Sequence, residues 1–351
     1  QTAARLPIMP LPPLVEPAPE LTRAQRERYA RHLLIPDIGE LGQRRLLAAR
    51  VAVMGAGGLG SPALLYLAAA GVGSVTIIDE DVVDLTNLQR QVIHDDASVG
   101  TPKVASAAAR LRAQNPGVTV TQRAVRLTDE NADEILAGHD LVLDGTDNFP
   151  TRYVVNDACA RLGLPFVWAS VFRTQAQVSV FWKSPPGDAV GVDLRDLFPT
   201  APDPTTVPSC GDAGVLGALT GQIGSMMATE AIKLICGIGD PLLGRVAFVD
   251  VLGVRQVDIP LRPRVETSLP LQPAAACPVP GPAIAGVTPR ELAAELASDR
   301  PPIVIDVREP GEVALVAIPG SVRIPLADFL ADLPTLDPDA DVVVHCKTGP
   351  R

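Results

Sequence analysis

The sequence predicts an α/β protein of Rossmann-like design: a doubly wound, mainly parallel sheet, then a second, smaller α/β domain. Three observations carry this prediction. Short β-type runs alternate with helix-length runs over most of the 351 residues. A glycine cluster, Gly55-Ala56-Gly57-Gly58-Leu59-Gly60, sits between the first such strand and the helix after it. The alternation resumes in shorter form beyond a proline-rich stretch. The length suits about two domains of roughly 100–200 residues each.

Residues 1–20 hold six prolines and read as an extended arm. Folded structure is expected from Leu21, with Thr22 capping a helix that contains ERYARHLL. VAVMG, SVTIID, VTVTQRAV, DLVLDGT, PFVWASV, AQVSVFW and RVAFVDV read as strands. SPALLYLAAAG, KVASAAARLRAQN, ADEILAG, TRYVVNDACARLG and GALTGQIGSMMATEAIKLICG read as helices, which makes 21–262 one domain. Val51 to Ile78 is free of charge and long enough to span a bilayer, but it holds six glycines and changes period midway. It is a βαβ unit, and no membrane association is expected. Residues 263–286 form a Pro-rich linker. VTPRELAAEL, PIVIDVRE, GSVRIPL and DVVVHC then give the smaller domain, 287–351, expected to be incomplete at its C-terminal end because only five residues follow its last strand.

A net charge of −10 argues against a broad nucleic-acid surface. The five cysteines, at 159, 210, 236, 277 and 346, are odd in number and contain no CxxC pair. They specify neither a disulfide framework nor a zinc site, and they fit a reducing, cytoplasmic setting. No basic segment followed by an apolar run opens the chain, so no signal peptide is expected.

The glycines at 55, 57, 58 and 60 allow a tight turn and let a phosphate approach the main chain at a helix N-terminus. Asp79, closing the next strand, can accept a ribose hydroxyl. Alone, these features suit an NAD-dependent oxidoreductase equally well. Asn87-Leu88-Gln89-Arg90-Gln91 and Gly100-Thr101-Pro102-Lys103 shift the balance, because a triphosphate needs more positive charge than a buried pyrophosphate and Arg90 and Lys103 supply it. Either cation could instead be a solvated surface group. Asp144-Gly145-Thr146-Asp147-Asn148 ends an apolar strand, where doubly wound folds place ligands. Asp147 is the expected Mg²⁺ ligand, and Asp144 has the ordinary chemistry of a turn.

RYARHLL, GAGGLGSP, DLTNLQRQ, GTPK, DGTDN and PSCGDAGV, in this order, resemble the ubiquitin-activating-like adenylyltransferases that serve sulfur carrier proteins, the MoeB/ThiF group. The resemblance covers about residues 21–262. It implies ATP-dependent adenylation of the C-terminal glycine of a ubiquitin-like carrier ending in Gly-Gly. It also implies that Gly58, Asp79, Asn87, Arg90, Lys103 and Asp147 bind ATP or its Mg²⁺. Arg31 matches an arginine that reaches the phosphates of a neighbouring subunit, which implies a homodimer. Arg31, Arg90, Lys103 and Mg²⁺ would offset the repulsion between carboxylate and α-phosphate, so catalysis is positioning plus electrostatics. Cys210, in a polar loop, matches a position whose thiol attacks the activated carrier; the plain alternative is an inert loop thiol. Cys159 and Cys236 lie in apolar helical runs and read as core, and Cys277 has no evident task. Many relatives carry two CxxC pairs for zinc; here those regions read GDAVGVDLRDLF and RPRVETSLP, so no zinc site is expected.

In the second domain Cys346 ends a strand and opens a loop to Arg351, where successive N–H groups and the guanidinium would lower the thiol pKa and stabilise a persulfide. IDVREP, IPG and CKTGPR resemble rhodanese sulfurtransferase signatures. VAIPG stands where relatives carry a histidine. The combined resemblance implies sulfur transfer from a Cys346 persulfide, charged by a sulfur donor such as a cysteine desulfurase or thiosulfate, to give a carrier thiocarboxylate. A dehydrogenase and a non-catalytic scaffold that docks a ubiquitin fold are the competing readings.

Overall fold

The computed structural model describes residues 11–200, 214–264, 286–298, 300–308, 310–314, 316–331 and 340–346. These fall into two compact units, one up to residue 264 and one from residue 286.

The first unit is built on an eight-stranded sheet: β1 (Arg50–Met54), β2 (Ser74–Ile78), β3 (Thr119–Arg123), β4 (Leu141–Asp144), β5 (Phe166–Phe172), β6 (Gln175–Phe181), β7 (Arg245–Asp250) and β8 (Arg255–Pro260). Their order is β3-β2-β1-β4-β5-β6-β7-β8. The five strands from β3 to β5 are parallel, and β5 to β8 continue as an antiparallel meander. The chain winds outward from β1 in one direction and from β4 in the other. The carboxyl ends of β1 and β4 therefore flank a crevice, the general position of ligands in such sheets.

Strand residues alternate between two cores. Val51 and Val53 face one core and Ala52 and Met54 the other; Leu141 and Leu143 again oppose Val142. The first core lies under α4 (Gly60–Ala70), α5 (Lys103–Gln114) and the long helix Gly217–Cys236. The second lies under α6 (Ala132–Leu136) and α7 (Phe149–Leu162). α4 and the long helix pack so closely that a Cβ on Gly224 would stand 2.3 Å from the Leu59 carbonyl oxygen.

The structure departs from the sequence reading in several places, one of them the unread helix α3 (Gly39–Ala48). Thr22 caps α1 (Arg23–Arg28) through a capping box with Gln25, but ERYARHLL is not one helix: it breaks at Tyr29, and α2 (Ala30–Leu33) follows. The buried Tyr29 hydroxyl accepts from the Asn115 side chain, which fixes the break. Residues 11–20 are extended yet already docked: the Leu14 N–H donates to the Leu234 carbonyl, and Leu11, Leu14 and Val15 pack on the first core. β8 went unread: its only apolar residues are Val257 and Ile259, an alternation too short to register, and all six of its residues are exposed. No helix among the described residues is long and apolar enough to cross a membrane.

The second unit holds a three-stranded parallel sheet in the order β10 (Val322–Arg323), β9 (Ile303–Asp306), β11 (Val342–His345). Its first helix, Pro289–Leu296, starts at a Thr288–Glu291 capping box with Pro289 in the first turn.

Candidate active site

A cleft of about 310 Å³ opens where the β1–α4, β2 and β4–α7 loops meet. Gly55 and Gly145 make the meeting possible. Gly55 has φ +87°, and its Cβ would lie 3.3 Å from the Gly145 carbonyl, while the Gly145 N–H donates to the Met54 carbonyl. Gly55, Gly57 and Gly58 line the cleft. Gly60 lies behind them and closes the turn: a Cβ there would be 1.8 Å from the Gly55 carbonyl oxygen.

Asp79, just past β2, ties the glycine loop down. One of its carboxylate oxygens accepts the Ala56 N–H at 2.8 Å and the other the Asp81 N–H at 2.9 Å. Burial pushes the Asp79 carboxyl above the usual carboxylate range, while the Lys103 charge and these two N–H groups pull it back. Lys103, the first residue of α5, is buried and reaches the cleft with its ammonium 2.8 Å from Asp81. Arg90 lines the same wall and donates to the Thr86 carbonyl at 3.1 Å.

On the opposite wall Asp144 and Asp147 divide the work of the DGTDN segment. Asp144 is fully buried and accepts from both the N–H and the hydroxyl of Thr146, a turn-forming role. Burial raises its pKa against the pull of Arg152. Asp147 is exposed and lines the cleft, and Asn148 caps α7 by accepting the Thr151 N–H. Arg152 was not singled out from the sequence. It is buried on this wall, donates to the Thr146 carbonyl at 2.9 Å, and stacks its guanidinium against Phe149 and Trp168. It thereby holds the backbone that carries Asp147.

The structure thus gathers Gly55, Gly57, Gly58, Asp79, Arg90, Lys103 and Asp147 around one cleft. Besides Gly60, two more expected site residues of this unit stand outside the lining. The side chain of Asn87 accepts the Asp84 N–H and completes the cap of a 3₁₀ turn, outside the cleft lining, and Arg31 is exposed on α2. Cys210, Cys277 and Arg351 lie outside the described residues. Among the described residues no group of three or more His, Cys, Asp or Glu side chains is placed to hold a metal ion.

In the second unit Cys346 follows β11 directly and is half-buried. Beneath this strand end lies a buried polar group: Asp306 accepts two bonds from the Arg308 guanidinium, at 2.7 and 2.8 Å, and lies 3.5 Å from His345 Nε2. Arg308 also donates to the Val316 carbonyl and so ties β9 to the segment that follows it.

A glycine loop, two cations and a carboxylate line one cleft at a strand-order reversal. Residues 29–270 match the ThiF family. The chain belongs to the ThiF family. Residues 288–351 match the Rhodanese-like domain. Among similar proteins, the probable adenylyltransferase/sulfurtransferase MoeZ of Mycobacterium tuberculosis is 48% identical over 97% of this chain and 90% of its own length. The SAMP-activating enzyme E1 of Haloferax volcanii is 46% identical over 69% of this chain and 87% of its own. A crystal structure of Escherichia coli MccB with ATP aligns with a TM-score of 0.59 over 68% of this chain and 72% of that one; at 20% identity the likeness concerns the fold. This ThiF-family chain with a rhodanese-like unit is an adenylyltransferase and sulfurtransferase, and the dehydrogenase and scaffold readings fall away.

Proposed function

We propose that this enzyme adenylates the C-terminal glycine of a ubiquitin-like sulfur carrier and then converts it to a thiocarboxylate. The observation that carries the reading is the buried Lys103 and Arg90 lining one cleft together with Asp147 and the glycine loop. A dinucleotide has no need of that arrangement, and a triphosphate does.

In the first step a carboxylate oxygen of the carrier bonds to the α-phosphorus of ATP as the bond to the bridging oxygen breaks, releasing pyrophosphate. The glycine-loop N–H groups and the N-terminus of α4 face the phosphates. Lys103 and Arg90 offset the repulsion between two anions as they approach and the charge that grows on the leaving group. The Asp147 carboxylate, a hard oxygen donor at the cleft wall, suits Mg²⁺. Bound there with the nucleotide, the ion would neutralise phosphate charge. Arg31, exposed and away from this chain's own cleft, suits action in the cleft of a second copy, so the working form is a homodimer. Asn87, outside the cleft lining as its side chain caps the 3₁₀ turn, would serve the nucleotide only after a change of rotamer.

In the second step the terminal sulfur of a Cys346 persulfide, loaded by a cysteine desulfurase or by thiosulfate, attacks the acyl-adenylate and AMP leaves. The Cys210 thiolate then attacks the Cys346 sulfur. The carrier departs as a thiocarboxylate, and a Cys210–Cys346 disulfide remains for a thiol reductant to open. The cytoplasm, kept reducing, fits this cycle. The deciding experiment is mass spectrometry of a Gly-Gly carrier incubated with the enzyme, MgATP and a sulfur donor. Gain of an adenylate without donor, and exchange of oxygen for sulfur with it, are expected; a carrier that gains neither overturns the proposal.

A further inference from the structure

His94 is a buried histidine that neither the sequence motifs nor the reaction scheme uses, yet it is bonded to the underside of the glycine loop. Its Nε2 lies 3.0 Å from the Ala56 carbonyl oxygen and its Nδ1 lies 2.9 Å from the Ser106 hydroxyl. A carbonyl oxygen can only accept, so Nε2 carries the proton, and Nδ1 accepts from the Ser106 hydroxyl. That fixes the tautomer without reference to any ligand.

The two partners belong to different parts of the site. Ala56 is the second residue of the glycine loop, and its N–H is already held by Asp79. The bond from His94 holds the other face of the same residue. Ser106 lies in the first turn of α5, the helix that begins with Lys103. The imidazole therefore links the loop whose N–H groups face the phosphates to the helix that presents the ammonium. The distance between these two groups decides how well both serve one triphosphate, and a shift of about 1 Å in such a pair costs on the order of 10²-fold.

We propose that His94 is a positioning residue for the adenylating reaction, its Nε2–H bond to Ala56 and its Nδ1 bond to Ser106 holding the glycine loop in register with Lys103. Burial, together with the nearby Lys103 charge, pushes the imidazole below its usual pKa, which agrees with a neutral ring that both donates and accepts; Asp79 and Asp95 face it and pull the other way.

This inference rests on the adenylation reading for its kinetic consequences but not for nucleotide binding. His94→Gln places an amide N–H near the Nε2 position, His94→Asn places one near Nδ1, and His94→Leu supplies neither. In the whole 351-residue chain, His94→Leu and His94→Asn should weaken MgATP binding by calorimetry about tenfold and raise the KM for ATP in carrier-dependent pyrophosphate exchange to match. The KM for the carrier should stay unchanged, and His94→Gln should recover most of the loss. Ser106→Ala, which removes one hydroxyl and no packing, should give a smaller loss in the same direction and serves as the test if His94→Leu fails to fold. Wild-type ATP affinity in His94→Leu and Ser106→Ala, or a His94→Gln no better than His94→Leu, overturns the proposal. If the wild-type enzyme binds ATP but exchanges no pyrophosphate with any Gly-Gly carrier, the adenylation reading fails while the binding comparison still decides the role of His94.

Discussion

The Lys103 ammonium sits 2.8 Å from the Asp81 carboxylate, with the lysine side chain 8% exposed and the aspartate side chain 63% exposed. The cation is thus held at the cleft by a group that water can solvate as soon as a better anion arrives. On the proposed reading the pairing is a resting position for a charge that serves phosphate, and breaking it costs little because an exposed carboxylate is readily rehydrated.

Lys103→Met should lower kcat/KM for ATP in carrier-dependent pyrophosphate exchange by roughly a hundredfold or more, the scale of losing one aimed charge in a partly closed site. Asp81→Asn should act in the opposite direction, lowering the KM for ATP by about twofold through relief of repulsion with the triphosphate, an effect that fades with added salt. Equal losses in the two variants would contradict this view of the pair.

The glycines at 57 and 60 should fail in different ways. A Cβ at Gly60 collides with the Gly55 carbonyl at 1.8 Å, so Gly60→Ala is expected to cost about 1–3 kcal/mol of stability and to lower the melting temperature. A Cβ at Gly57 meets nothing closer than the Gln91 amide at 3.7 Å. Gly57→Ala should therefore melt like the wild type while its methyl, standing in the cleft, weakens ATP binding measured by calorimetry.

The buried Asp306–Arg308 pair makes the second unit sensitive to acid. The Arg308 guanidinium holds the Asp306 carboxyl below the usual carboxylate range against the opposing effect of burial. A lowered folded pKa means that the pair's contribution is complete above the ordinary carboxylate pKa and is lost as pH falls through the lowered value. Arg308→Met leaves the buried carboxylate without its guanidinium partner, at a cost of about 3 kcal/mol at neutral pH. Hydrogen exchange of the peptide over 303–308 should be faster in the variant at pH 7. The gap should narrow toward pH 4, where protonation relieves the variant's carboxylate.

The cysteines should separate by reactivity. Burial pushes the Cys159 thiol far up and Cys236 up to about 11, so neither forms thiolate near neutrality. Alkylation at pH 8 followed by peptide mapping should label the half-buried Cys346 in the native protein and leave Cys159 and Cys236 unmodified until denaturant is added. Native labelling of either core cysteine would contradict the burial.

The sequence by itself determined the elements and the chemistry on the cleft's rim. Periodicity, glycines and caps act between residues a few positions apart, so the β1–α4 turn at Gly55–Gly60, the strand end at Asp79 and the DGTDN segment were legible without coordinates. The same locality explains the misreadings. Nothing within ERYARHLL records that Asn115 donates to the Tyr29 hydroxyl, and an edge strand with two apolar residues, such as β8, writes too short a period to read. Tertiary structure alone decided which groups meet. The strand order sets β4 beside β1, which brings Gly145 against Gly55, and the connection that follows β2 places His94 beneath Ala56, 38 positions earlier in the chain. Each of these is a short-range force between residues made neighbours by the sheet, and a force that acts over 3 Å leaves no trace in a sequence where its partners lie far apart.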